Sequence, residues 1–316
     1  MLFSMLCWGS WANTQKIDKQ WRFELFYWDF IWGLLICALL FGLTFGNRNA
    51  SSPDSFLRNL VGASPGSLAE AFFGGLIFNL GNLLLVAAIS IAGMAVAFPI
   101  GAGLALVIGA VMDYIISPKG NPIFLFGGIV LICIAIVLDA LAYRGLSGAG
   151  KATAKGIGLS LAAGIAVGLF YPFVAKALTG PHHLDPYALY FVFALGAAIS
   201  NFPMNYALMR RPVSGKPLPL RDYFKGHVSL HAWGMLGGLI WGSGTIANFV
   251  ASYVPMIGPA TSFSLGEGNT MISAIWGIFV WKEFRGAGNL TKGLLAIMFL
   301  FFILGLSSIA LAPVIH

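Results

Sequence analysis

The chain has 316 residues, 58% hydrophobic and 9% charged. No soluble core of that size needs so much apolar surface, which excludes a soluble globular domain and implies a polytopic membrane protein. The formal charge of +7 would suit a nucleic-acid surface in a soluble protein, but here its distribution reads as membrane topology.

A helix needs ~20 apolar residues to cross ~30 Å of hydrocarbon. On that measure the chain predicts an all-α polytopic membrane protein with ten transmembrane helices. In order they fall near Met1 to Asn13, Leu25 to Phe45, Ala69 to Ser90, Ile91 to Ile116, Pro122 to Tyr143, Gly156 to Leu178, Pro186 to Met209, Ser229 to Ser252, Met256 to Val280 and Leu290 to Pro313. The first would reach only ~20 Å at 1.5 Å per residue. Either that helix begins partway through the bilayer or further residues precede Met1; it lacks the basic region and cleavage site of a signal peptide.

The loops and their edges divide the basic residues 14 to 4. Odd-numbered loops hold Lys16, Lys19, Arg22, Arg144, Lys151, Lys155, Arg210, Arg211, Lys216, Arg221, Lys225, Lys282, Arg285 and Lys292. Even-numbered loops hold Arg48, Arg58, Lys119 and Lys176. The positive-inside rule then places odd loops in the cytoplasm and both termini outside a bacterial inner membrane or plasma membrane.

The chain also repeats itself. Ile91 to Gly103 (IAGMAVAFPIGAG) returns as Met256 to Gly268 (MIGPATSFSLGEG), and Gly74-Gly75-Leu76-Ile77 returns as Gly237-Gly238-Leu239-Ile240, followed by Phe78 or Trp241. The repeat unit holds five spans. An odd number makes the second copy enter the membrane from the opposite side, a 5+5 inverted repeat of the kind used by secondary transporters, with the solute held near the midplane. Residues 1–145 form the first repeat, 146–155 a cytoplasmic connector and 156–316 the second. Pro99, Gly101 and Gly103 in one copy, and Pro255, Gly258, Pro259, Gly266 and Gly268 in the other, read either as helix breaks lining a cavity or as small residues for close helix packing.

Polar residues at membrane depth are the candidate site. Glu267 lies near the middle of the ninth span, too deep to reach a headgroup, and burial disfavours its charged form; it is the candidate proton carrier or substrate-binding acid, with a structural carboxyl as the alternative. Asn79 and Asn82 are three residues apart on one helical face, and Asn248 and Asn269 lie in spans eight and nine. Their amides suit a sugar hydroxyl or a heterocycle edge and equally suit interhelical bonding. Trp8, Trp11, Trp241, Phe98 and Phe263 offer flat faces, although Trp8 and Trp11 also fit an interfacial anchor. Asp29 and Asp139 fall near the cytoplasmic surface, at solvated or gate positions.

No cofactor or metal is expected. Cys7, Cys37 and Cys133 lie in apolar spans without ligand spacing, and the H-x-x-x-H pair His227 and His231 has no third ligand. Gly145 to Lys151 satisfies G-x-x-x-x-G-K, yet Ala152 stands where a Ser or Thr would hold magnesium, with no strand before it.

The run Gly237 to Gly244 with Ile272 to Arg285 (ISAIWGIFVWKEFR), Leu80-Gly81-Asn82-Leu83, and Pro217 to Tyr223 resembles plant ureide permeases. Ala260 to Leu265 (ATSFSL) is similar to bacterial glucose/ribose and rhamnose uptake proteins. Both groups belong to the drug/metabolite transporter superfamily of ten-span inverted repeats. That resemblance implies proton-driven uptake with substrates among nucleobases, ureides and sugars, and the central loop is much shorter here than in the plant proteins. Nucleosides stay within the expected substrate range, the chain is read as a monomer or dimer, and a lone Glu267 without paired acids, a metal cluster or an activated nucleophile argues against a membrane-embedded enzyme. The alternative on the same fold is an exporter of drugs or metabolites, whose cavity should be aromatic and poor in amides.

Overall fold

The computed structural model describes residues 1–17, 21–48, 52, 55–92, 94–144, 154–213 and 215–315, with backbone alone at 89, 90, 92, 94–96, 98 and 99. The Gly145 to Lys151 motif and the Phe98 side chain lie outside what is described.

Among the described residues all regular structure is helical. Short helices α1 (Leu2–Ser10) and α2 (Asn13–Ile17) precede α3 (Phe23–Thr44), α4 (Phe56–Gly62), α5 (Pro65–Ala92), α6 (Met94–Ile116) and α7 (Pro122–Arg144). Then come α8 (Ala154–Ala177), α9 (Pro186–Arg210), a 3₁₀ turn (Leu220–Lys225), α10 (Val228–Tyr253), α11 (Gly258–Gly266), α12 (Asn269–Ile275) with a following π-helical turn (Trp276–Val280), and α13 (Asn289–Leu311). Start signals are local: Pro186 occupies the first turn of α9 behind Asp185, whose Oδ1 accepts the Tyr187 N–H at 2.7 Å.

Six of these helices are long and apolar enough to cross a membrane: α3, α5 over Pro65–Ala88, α7, α8, α9 and α13. The chain is therefore a multi-pass membrane protein. The apolar part of α6 is shorter, Ile100–Ile116. The remaining three expected spans are α1 with α2, the glycine- and serine-rich α10, and the broken α11–α12 segment.

The two glycine-rich copies part company here. In the second, the helix stops at Gly266 and resumes at Asn269, a break at the expected place. In the first, α6 runs without interruption through Pro99, Gly101 and Gly103. Gly101 serves contact instead, a Cβ on Gly164 of α8 standing 2.8 Å from its carbonyl, while Gly103 has nothing within 4 Å. Small residues there let α6 and α8 approach closely, the other reading of the same pattern.

The core is built around helix pairs brought to backbone contact. A Cβ on Gly75 (α5) would collide with the Phe193 carbonyl of α9, and one on Gly196 (α9) with the Phe72 carbonyl of α5. A Cβ on Gly238 (α10) would collide with the Phe30 carbonyl of α3, and one on Gly33 (α3) with the Met235 carbonyl of α10. Every residue of the α3–α10 contact is matched in the α5–α9 contact at one offset of 163: Phe30 with Phe193, Gly33 with Gly196, Phe72 with Met235, Gly75 with Gly238. Aromatic rings follow suit, Phe78 lying 5.4 Å from Phe193 and Trp241 6.3 Å from Phe30. Outside this core α7 and α13 pack on each other and carry large exposed apolar side chains such as Val130, Ile123, Leu300 and Ile303, the surface a bilayer covers.

Candidate functional site

A cavity of about 420 Å³ enters the bundle and ends among α1, α5, α6, α8, α10 and the α11–α12 break. Its inner end is aromatic: Trp241 stacks on Phe78 at 4.4 Å and on Trp8 at 5.8 Å, and Phe170 closes the far wall. The Trp8 indole is pinned because its Nε1 donates to Thr245 Oγ1 at 3.0 Å. That bond leaves the ring face, not its polar edge, for a solute.

Glu267 stands at the end of α11, 8% exposed, with its carboxyl reaching the cavity. The Gly266–Gly268 pair lets the chain turn there: the Glu267 N–H bonds Phe263 O at 2.9 Å and the Gly268 N–H bonds Leu265 O at 3.2 Å. Among the described residues the Glu267 carboxyl takes no hydrogen bond or ion pair from protein. A carboxyl so placed must draw its partner from the solute, from water or from a proton. Ala102, its counterpart in the first copy, lines the same cavity from α6.

Helix α1 is stitched to the segment beyond the break. Ser273 Oγ donates to the Gly9 carbonyl at 3.2 Å, Trp276 Nε1 to Ser10 Oγ at 2.8 Å, and Trp281 Nε1 to Asn13 Oδ1 at 2.6 Å. Toward the mouth the lining becomes polar and charged, with Asn13, Gln15, Lys16, Asp139 and Tyr143. Lys16 Nζ lies 2.8 Å from Glu283, whose other oxygen accepts the Tyr143 hydroxyl at 2.7 Å. Partial burial alone would raise the Glu283 carboxyl, but hydrogen bonds from Lys16 and Tyr143, with the Lys16 charge, hold it below the ordinary glutamate range.

The residues singled out from the sequence separate into two groups. Glu267, Asn82, Asn269, Trp8, Trp11 and Trp241 all line the cavity. Asn82 remains tethered, its Nδ2 donating to Tyr27 Oη at 3.1 Å. The others stand behind the wall. Asn79 is turned onto α9, donating to Ser200 Oγ at 3.0 Å; three residues along α5 suffice to separate it from Asn82, because α5 is wedged between α8 and α9. Asn248 joins α10 to α8 and α11, accepting from the Tyr171 hydroxyl and donating to the Ser262 carbonyl at 2.9 Å. Phe263 is fully buried 4.7 Å from Tyr171 and 6.0 Å from Phe170.

Asp29 lies elsewhere, accepting from Tyr223 Oη at 2.6 Å and facing His231 Nδ1 at 2.9 Å, so it fastens the 3₁₀ turn to α3 and α10. His227 caps α10 through the Ser229 N–H. Asp139, expected at a solvated or gate position, lines the cavity, and no local sequence signal marks Tyr143 and Lys16 on its wall or Glu283 and Thr245 bonded to that wall. Their positions depend on which helices meet, which no local pattern encodes.

Comparisons with known proteins agree with this architecture. The profile of the family described as "Sugar transport protein" matches residues 2–312. Ureide permease 1 of Arabidopsis thaliana is 23% identical over 375 aligned residues, covering 97% of this chain and 94% of its own. Probable ureide permease A3 of Vigna unguiculata is 22% identical, covering 92% and 96%. The glucose uptake protein GlcU of Bacillus subtilis (strain 168) is 25% identical over 215 residues, 66% of this chain and 67% of that one. A solved structure, "Crystal structure of protein", superposes with a TM-score of 0.64 at 14% identity, covering 98% of this chain and 95% of that one, which shows a shared fold.

Proposed function

Because this chain belongs to the sugar transport protein family, we propose that it is a secondary transporter importing a small polar solute with protons. Transport proceeds by alternating access between the two halves, residues 1–145 and 156–316. One observation carries the reading: a cavity of about 420 Å³ in which a buried, otherwise unpartnered carboxyl at a helix break faces aromatic rings and amides. That volume lies within the range of small-molecule sites, ~300–1,000 Å³, and suits a solute the size of a monosaccharide or a nucleobase.

Glu267 is the proposed proton carrier. Asn82 and Asn269 would bind the solute's polar edge while Trp8, Trp11 and Trp241 cover its faces; Asn79, Asn248 and Phe263 would hold the wall behind them. These amides favour a polar solute over the amphipathic cargo of an exporter. The relatives are named for ureides and for glucose, and both chemistries present hydrogen-bonding edges that such a cavity would match.

The inverted arrangement draws support from the four glycine contacts that recur at one offset. The cavity opens at the end bearing Lys16, Tyr143 and Glu283, which the charge bias assigns to the cytoplasm. On that assignment this conformation faces inward and both termini lie outside.

Uptake of labelled allantoin, uracil, glucose and ribose into proteoliposomes under an imposed pH gradient tests the proposal. Accumulation above equilibrium of at least one is expected. Full gradient-driven accumulation by Glu267→Gln would remove the proton role.

A further inference from the structure

Charge is distributed unevenly along the cavity. Among the described residues the charged side chains lining it are Lys16, Asp139 and Glu267. The lysine brings its own counter-ion, because its Nζ lies 2.8 Å from Glu283 Oε1. The two acids have none. Asp139 forms no ion pair among the described residues and its Oδ1 is buried without a hydrogen-bond partner; Glu267, 8% exposed, is likewise unpaired. We infer that the cavity is charge-selective, admitting neutral and cationic solutes and turning away acids, and that Asp139 is the residue that sets this preference. The inference rests on the reading of the cavity as the solute's path.

Position gives Asp139 that role. It stands one helical turn before Tyr143 on α7, and Tyr143 is bonded to Glu283 at the rim, so an entering solute meets Asp139 just inside the mouth. The unpaired carbonyls that end α7 add negative potential at the same place. Arg144, which follows Tyr143, is exposed, so solvent screens its charge. At Glu267 the end of α11 meets the start of α12, and their opposed end dipoles offset each other. The rings of Trp8, Phe78, Phe170 and Trp241 screen little, so the field of the acids persists across the cavity. A unit charge ~10 Å away at an effective dielectric of ~20 changes the local concentration of an ion roughly tenfold, in opposite senses for cation and anion. Carboxylated or phosphorylated forms of a sugar or heterocycle are then excluded, while the neutral parent meets the same amides unopposed.

Ala102 faces the cavity from α6 and supplies a reporter position. With Cys7, Cys37 and Cys133 replaced by alanine, Ala102→Cys in lipid nanodiscs is labelled in mildly alkaline buffer by the trimethylammonium-ethyl, hydroxyethyl and sulfonatoethyl methanethiosulfonates. These are cationic, neutral and anionic, and each rate is divided by the rate with a free thiol. The cationic reagent should lead and the anionic one trail, with a spread of roughly tenfold or more that added salt narrows. Asp139→Asn should shrink the spread severalfold and Asp139→Glu should keep it. Glu283→Gln, which frees the Lys16 charge, should shrink it as well, and decides the matter should Asp139→Asn fail to fold. Equal rates for the cationic and anionic reagents, or no reaction with the neutral one, overturn the inference. So does an unaltered spread in Asp139→Asn, or in Glu283→Gln where the first variant does not fold. Labelling needs neither solute nor proton gradient, so a failure of the transport proposal leaves this result distinct.

Discussion

The two copies of the glycine-rich segment have nearly the same small residues and opposite structures. Over Met94 to Gly103 of the first copy the chain stays helical, Gly101 abuts a Leu85 methyl and Gly103 faces open space. Over Met256 to Gly268 the helix breaks, Gly266 is wedged against Trp8 and Asn248, and Gly268 against Met5 and Leu306. The break therefore does not come from glycine content. It occurs where neighbours on both sides force the backbone to turn, and it delivers Glu267 to the cavity wall opposite Ala102.

The strongest way to break this comparison is to remove the charge. Glu267→Gln should reduce solute accumulation under a proton gradient to the equilibrium level, while labelled-solute exchange at equal pH survives; proteoliposome uptake reads both. Moving the charge sharpens it: Ala102→Glu in the Glu267→Gln background should restore accumulation well below the wild-type level, and no recovery would mean that the break geometry, not depth alone, sets the role.

Substituting the glycines comes next. A methyl on Gly266 would stand 2.6 Å from Trp8 and one on Gly268 2.7 Å from Met5. Alanine at either should cost ~1–3 kcal/mol, the scale of overpacking. Gly103→Ala meets nothing within 4 Å and should stay within ~0.5 kcal/mol. Unfolding midpoints of the variants in nanodiscs check the order.

The rim, outside both copies, should matter least. Its Lys16–Glu283 pair is 34% and 27% exposed, so Glu283→Gln should cost at most ~1 kcal/mol. The sign follows from the lowered carboxyl: the contribution is present above the ordinary glutamate range and lost as acid protonates Glu283. Wild type and variant should therefore converge in stability at low pH.

Much of this was legible before any coordinates. Composition and apolar length place α3, α7, α8, α9 and α13 within two residues of their expected starts, because a bilayer leaves a helix few alternatives. Depth and charge also single out Glu267. What local pattern could not supply is the direction a polar residue faces once several helices surround it. Asn79 and Asn82 share a face of α5, yet one bonds Ser200 and the other lines the cavity. Asp113 sits near the end of α6, where an acid reads as solvated, yet it is completely buried.

The paired glycines have a further consequence for how variation is tolerated along the chain. Since α3 touches α10 through the same positions by which α5 touches α9, a harmful substitution at Gly33 has a twin at Gly196, and one at Gly75 a twin at Gly238. A saturation scan of residues 30–75 should print a profile that is legible again, 163 positions later, in residues 193–238.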